Sequence, residues 1–252
     1  MNNRIIDNYD NALALRLELS CLQMQGCHLL YRGHASDKFE LLPIVGRKTP
    51  INGNLLDSEK QCFNDYKKLI INQEWDQYKV SSYNDDLFYM SIGRHLGLYC
   101  RLLDWTARLE TALFFASADE GSVHKNGHLW IMIYSGTIND ANANVNPFDI
   151  TDVALIKEDY LVPQNMTMEN FPLGEQRRFA QNGFFTVVPT DLLTTPLDKI
   201  PLNNIKLIRV EITANAKNSI LSALPKCYKG YLYKSNSIIE SEIQHINSMY
   251  FE

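Results

Sequence analysis

The sequence predicts a single α+β domain across residues 1–252, with a mixed central sheet and flanking helices. Three observations lead there. Apolar residues recur at helical spacing in some segments and run in strand-like stretches in others. No repeat, low-complexity tract or linker divides the chain. A composition of 45% hydrophobic and 21% charged residues is that of a folded domain able to bury its own core.

In chain order, Ala12, Leu15, Leu19 and Leu22 mark a helix over 11–25, stopped by Gly26. A strand follows over 28–32 and breaks at Gly33. Proline and glycine make 42–54 a loop. Asp57 is read as the N-cap of a helix to about Gln73, with Phe63, Tyr66 and Ile70 on one face. Another helix starts near Asp85 or Asp86 and ends near Gly97. Residues 101–105 form a strand and 107–119 a buried helix. A further strand covers 128–134, and 135–147 is a loop rich in Asn and Ala. A short helix over 175–182 leads into a strand at 183–188. The motif core thus spans 29–188, followed by a C-terminal strand over 205–212 and helices at 215–224 and 237–250.

The formal net charge of −5 argues against broad nucleic-acid binding, which needs a basic face. It leaves room for a local basic pocket that grips one phosphate group. Five scattered cysteines with no CxxC pair fit neither a disulfide framework nor a zinc site. Residues 1–10 are polar, and no stretch approaches a membrane span. The expectation is a cytoplasmic protein without a membrane partner. No phosphate loop, GxGxxG, HExxH or GxSxG is present, and the turn-like setting of His124 and His128 makes metal binding there unexpected.

Three segments stand out together. The first is Tyr31-Arg32-Gly33. The second runs from His95-Leu96-Gly97-Leu98 through Arg101-Leu102-Leu103-Asp104-Trp105-Thr106 to Ala112-Leu113-Phe114-Phe115-Ala116. The third is Arg178-Phe179-Ala180-Gln181-Asn182-Gly183-Phe184-Phe185. Their order resembles the FRG family, named after its Phe/Tyr-Arg-Gly strand motif. The sequence departs from that pattern at Arg94, where the family usually has Gln, and at Tyr99-Cys100, where it has Pro-Thr.

A second, weaker resemblance is to the ADP-ribosyltransferase fold. It implies NAD as substrate, no metal, an unspecified macromolecular acceptor, and a role as a toxin or phage-defence effector. It also implies roles for individual residues. Arg32 would supply a planar donor fork for the diphosphate, beside the close-approach Gly33. Tyr31, Trp105 or Phe115 would stack on nicotinamide, with Thr106, Arg101 and His95 completing the nucleotide site. Cleaving the nicotinamide–ribose bond develops positive charge that a carboxylate must stabilise. Glu175 and Asp104 are the candidates, with Gln181 orienting a ribose hydroxyl.

Plainer readings stand beside these. Arg32 and Asp104 form a structural pair as readily as a site, and Asp104 has Arg32 or Arg101 as prospective partner. His95 reads more simply as a capping or core histidine, and Trp105 and Phe114 as core. Without an available carboxylate, the same pocket binds a nucleotide or modified polymer and does not cleave it.

Overall fold

The computed structural model describes residues 4–72, 85–136, 138, 146–157, 183–225 and 237–252. Among them, seven strands form one sheet: β1 (Ile5–Ile6), β2 (His28–His34), β3 (Leu102–Thr106), β4 (Gly127–Tyr134), β5 (Ala154–Lys157), β6 (Gly183–Val187) and β7 (Ile205–Ile212). Their spatial order is β1-β7-β4-β2-β3-β6-β5. β1 runs parallel to β7, and every other neighbouring pair is antiparallel. The α+β class and the mixed central sheet are as the sequence predicts.

Six α-helices accompany the sheet among the described residues: α1 (Tyr9–Met24), α2 (Leu55–Asn72), α3 (Asp85–His95), α4 (Leu109–Ser117), α5 (Ala214–Ala223) and α6 (Ser237–Tyr250). Two helix starts follow side-chain caps: Asn8 accepts from Asn11 N and Thr213 from Ala216 N. The start of α2 differs from the Asp57 expectation. Asn54 accepts from Asp57 N at 2.9 Å and donates to the Asp57 carboxylate at 2.7 Å, so Asp57 is the reciprocal partner inside the first turn.

Directly opposed residues in neighbouring strands share a face of the sheet, so the registers sort the core. One face of the β7-β4-β2 half carries Leu29, Tyr31, Ile131 and Val210, and α1, α4 and α5 pack on it. The same face of the β3-β6-β5 half carries Leu102, Phe185 and Ile156, under α2, α3 and α6. The opposite face is built from Leu30, Leu103, Trp105, Trp130, Met132 and Phe184.

Between the two halves the sheet forks. β2 pairs with β4 along all seven residues but holds a single register pair with β3, Tyr31 opposite Thr106. The strand expected to break at Gly33 continues to His34, because β4 supplies partners to its end. The strand expected at 101–105 lies one residue later, since its pairing with β6 runs from Leu102 opposite Val187 to Thr106 opposite Gly183. β1 and β5 have no counterpart in the sequence reading; both are too short for a periodic pattern and acquire strand form from β7 and β6. The helix expected at 175–182 lies outside the described residues.

Candidate functional site

An open cleft of about 480 Å³ occupies the fork between β2 and β3. Where the strands part, residues from both faces reach one space: Tyr31, Gly33, Asp104 and Thr106 from one, Arg32, His34 and Trp105 from the other. The end of α3 adds Arg94 and His95, the turn at Val45–Arg47 adds Arg47, and α4 adds Thr111, Ala112 and Phe115.

The fork leaves β3 carbonyls without β2 partners, and Arg32 takes over one of them. Its Nη1 donates to the Asp104 carbonyl oxygen at 2.7 Å and to Asp104 Oδ2 at 3.2 Å. Its Nε donates to His34 Nε2 at 3.0 Å. A guanidinium can only donate, so His34 Nε2 is the acceptor and Nδ1 carries the proton, donated to Phe39 O at 3.1 Å. Burial, then the nearby Arg32 and Arg47 charges, push His34 down to about 2, which keeps the ring neutral.

Asp104 is held from a second side by Arg94 Nη2 at 2.7 Å. Burial works to raise its carboxyl, but Arg94 and Arg32 outweigh it and lower the pKa to about 2. Burial lowers Arg32 to about 10, against the pull of Asp104. It also acts to lower Arg94, where the attraction of Asp104 prevails and the pKa rises. Arg47 is lowered by burial and by Arg94; its Nε and Nη2 are tied to the carbonyls of Leu42 and Glu40. Two guanidiniums therefore hold one carboxylate, and a third, Arg47, lines the same cleft. Arg94 Nε has no hydrogen-bond partner among the described residues, and neither does the hydroxyl of Thr111, a residue only 1% exposed.

The expected site residues fall into three groups. Arg32, Gly33, His95, Asp104, Thr106 and Phe115 come together at the cleft, with Tyr31 beside them. Several have visible structural duties there. A Cβ on Gly33 would sit 1.9 Å from Ala112 O, so its close approach is to the backbone of α4. Thr106 Oγ1 accepts from Arg108 N at 3.1 Å at the entry to α4. Tyr31 and Trp105 are core rings, and Trp105 Nε1 donates to Thr186 Oγ1 at 3.2 Å. His95 meets Phe185 edge to face at 5.9 Å. Phe115, 37% exposed, is the open aromatic surface of the three proposed for stacking.

Arg101 does not join them. It is fully buried, and Glu59, equally buried, accepts from its Nε, Nη2 and backbone N, the Nη2 contact measuring 2.6 Å. Its Nη1 donates to Pro147 O and Thr190 Oγ1. This replaces both expectations for Arg101, the nucleotide contact and the pairing with Asp104. Asp104 takes Arg94 instead, because α3 ends against β3 and delivers that side chain. Glu175 and Gln181 lie outside the described residues.

Sequence reasoning missed Arg47, Arg94, His34, Thr111 and Asp119, all of which line the cleft. Arg94 alone left a signal, as a charged residue next to His95 where the family pattern holds an amide.

In comparisons with known proteins, the family model described as FRG domain matches residues 27–125, from the turn before β2 to the approach of β4. No curated protein and no solved structure matches the chain, and nothing in these comparisons bears on the second resemblance.

Proposed function

Starting from the FRG domain that this chain carries over residues 27–125, we propose that its cleft binds the diphosphate of a nucleotide such as NAD. The observation that supports this reading most is the excess of guanidinium over carboxylate on the wall of an open cleft. Arg32 and Arg94 share Asp104, Arg47 donates to the backbone carbonyls of Leu42 and Glu40, and Arg94 Nε lacks an acceptor among the described residues. Clustered cations in a partly dry cleft need an anion, and two phosphate groups with several oxygens would satisfy these forks. A volume of about 480 Å³ accommodates a nucleotide-sized ligand.

Binding takes precedence over turnover in this reading. A carboxylate already shared by two guanidiniums has little charge to offer a developing sugar cation, and with a pKa of about 2 Asp104 is no proton donor near neutrality. ADP-ribosyl transfer or NAD hydrolysis would have to draw on another carboxylate, Glu175 being the one the resemblance implies. An effector or toxin role would follow from such turnover.

The test is thermal denaturation and calorimetry with NAD, ADP-ribose and inorganic pyrophosphate. NAD and ADP-ribose should each raise the melting temperature, and R47A and R94Q should weaken binding by about tenfold or more while the apo proteins remain folded. Release of nicotinamide separates turnover from binding. Absence of any shift with all three probes overturns the proposal.

A further inference from the structure

From Leu109 to Ser117, α4 is buried at every position except Glu110 and Phe115. Glu110 is accounted for by Arg16, whose Nη1 donates to it at 2.6 Å. Phe115 instead opens onto the cleft. Thr111, one turn earlier on the same side, carries the hydroxyl without a partner among the described residues. Asp119, four residues after Phe115 and just past the helix end, is exposed and lines the same cleft. The C-terminal carbonyls of α4 add partial negative charge at that end. Arg32, Arg47 and Arg94 reach the cleft from other elements.

We infer that the cleft has two electrostatic poles and reads the charge of the ring attached to the phosphate ester it binds. The phosphates seat on the guanidiniums, and a cationic aromatic ring lies on Phe115 towards Asp119. A ring of this kind is attracted both by the face of Phe115 and by the carboxylate beside it. The inference rests on the nucleotide reading and adds to it the class of ring preferred. The buried Lys217 also feels Asp119, but its ammonium is engaged with the carbonyls of Ala35 at 2.6 Å and Ser122 at 2.7 Å.

Oxidised and reduced NAD share one skeleton and differ in whether the nicotinamide ring is positively charged. Their affinities, with that of ADP-ribose as the ringless control, are measured by calorimetry for the full chain and for D119N, each ligand being recovered to confirm it is intact. The wild type should favour the oxidised form by roughly three- to tenfold, the range of an exposed charge contact combined with a cation over an aromatic face. D119N should shrink that preference to the part carried by Phe115, with the loss falling on oxidised NAD rather than on reduced NAD or ADP-ribose. The apo melting temperature of D119N shows whether the Lys217 region is intact. Equal wild-type affinities for the two forms, or a preference that D119N leaves undiminished in a folded protein, overturn the inference while ADP-ribose binding keeps the nucleotide reading standing. If none of the three binds the wild type, both fall together.

Discussion

Two arginine–carboxylate assemblies meet at β3, one just before its first residue and one at its middle, and they answer the same electrostatic problem differently. Arg101 and Glu59 are 0% exposed, and among the described residues Glu59 accepts its hydrogen bonds from Arg101 alone, including the backbone N–H. Asp104 is shared by Arg32 and Arg94 in a cleft open to water, with Arg47 adding a further cation. The first is a closed account of charge, one guanidinium saturating one carboxylate. The second leaves donors over. Desolvating an ion pair demands full satisfaction, so an assembly with spare donors belongs where something from solution can complete it.

The comparison can be broken most forcefully at the sealed pair. R101M strands the Glu59 carboxylate in the core, and a loss on the order of 3–5 kcal/mol is expected by chemical denaturation. Ligand binding per folded molecule should be unchanged. A small loss would mean that Glu59 reaches water or another partner, and the contrast with Asp104 would lapse.

D104N should cost less, about 2 kcal/mol near neutral pH, because the cleft is partly solvated and the carboxyl is displaced from its ordinary value only to about 2. The sign is that of a depressed acid. Its contribution is present above pH about 4 and is lost as pH falls towards 2. His34 acts over a wider window: its neutral native form costs stability as pH drops below about 6.5, where the unfolded imidazole takes up a proton. Urea titrations from pH 7 to 3 should therefore show a decline beginning above the carboxylate range, and H34Q should flatten its upper part.

The smallest effect sharpens the comparison from the other side. T111V removes a buried hydroxyl that has no partner among the described residues, so apo stability should rise by up to about 1 kcal/mol while the ligand-induced shift in melting temperature shrinks. A fall in apo stability would show that the hydroxyl is already engaged within the protein.

Much of this architecture was legible in the residues. α6 spans the expected 237–250, β7 the expected 205–212, and the helix around Ala112 to Ala116 lies within one turn of its predicted limits. Long periodic segments disclose themselves because their pattern repeats within a few residues. The pairing of Arg32 with Asp104 is open to chemistry alone: an arginine and an aspartate, each flanked by apolar strand residues, have few other ways of being buried. Arg101 was misplaced because the same logic offers no means of choosing between two carboxylates.

Residue order and composition were enough to establish a mixed α+β domain, the FRG motif and the positions at which charge enters apolar strands. Those properties are local: spacing, side-chain chemistry and punctuation by glycine and proline. Packing alone decided that β2 and β3 separate after one register pair, that Asp104 is held by Arg94 as well as Arg32, and that Phe115 opens onto the resulting cleft. Such choices depend on where two groups of helices settle over one sheet, and contacts between distant parts of a chain are summed only when the core closes.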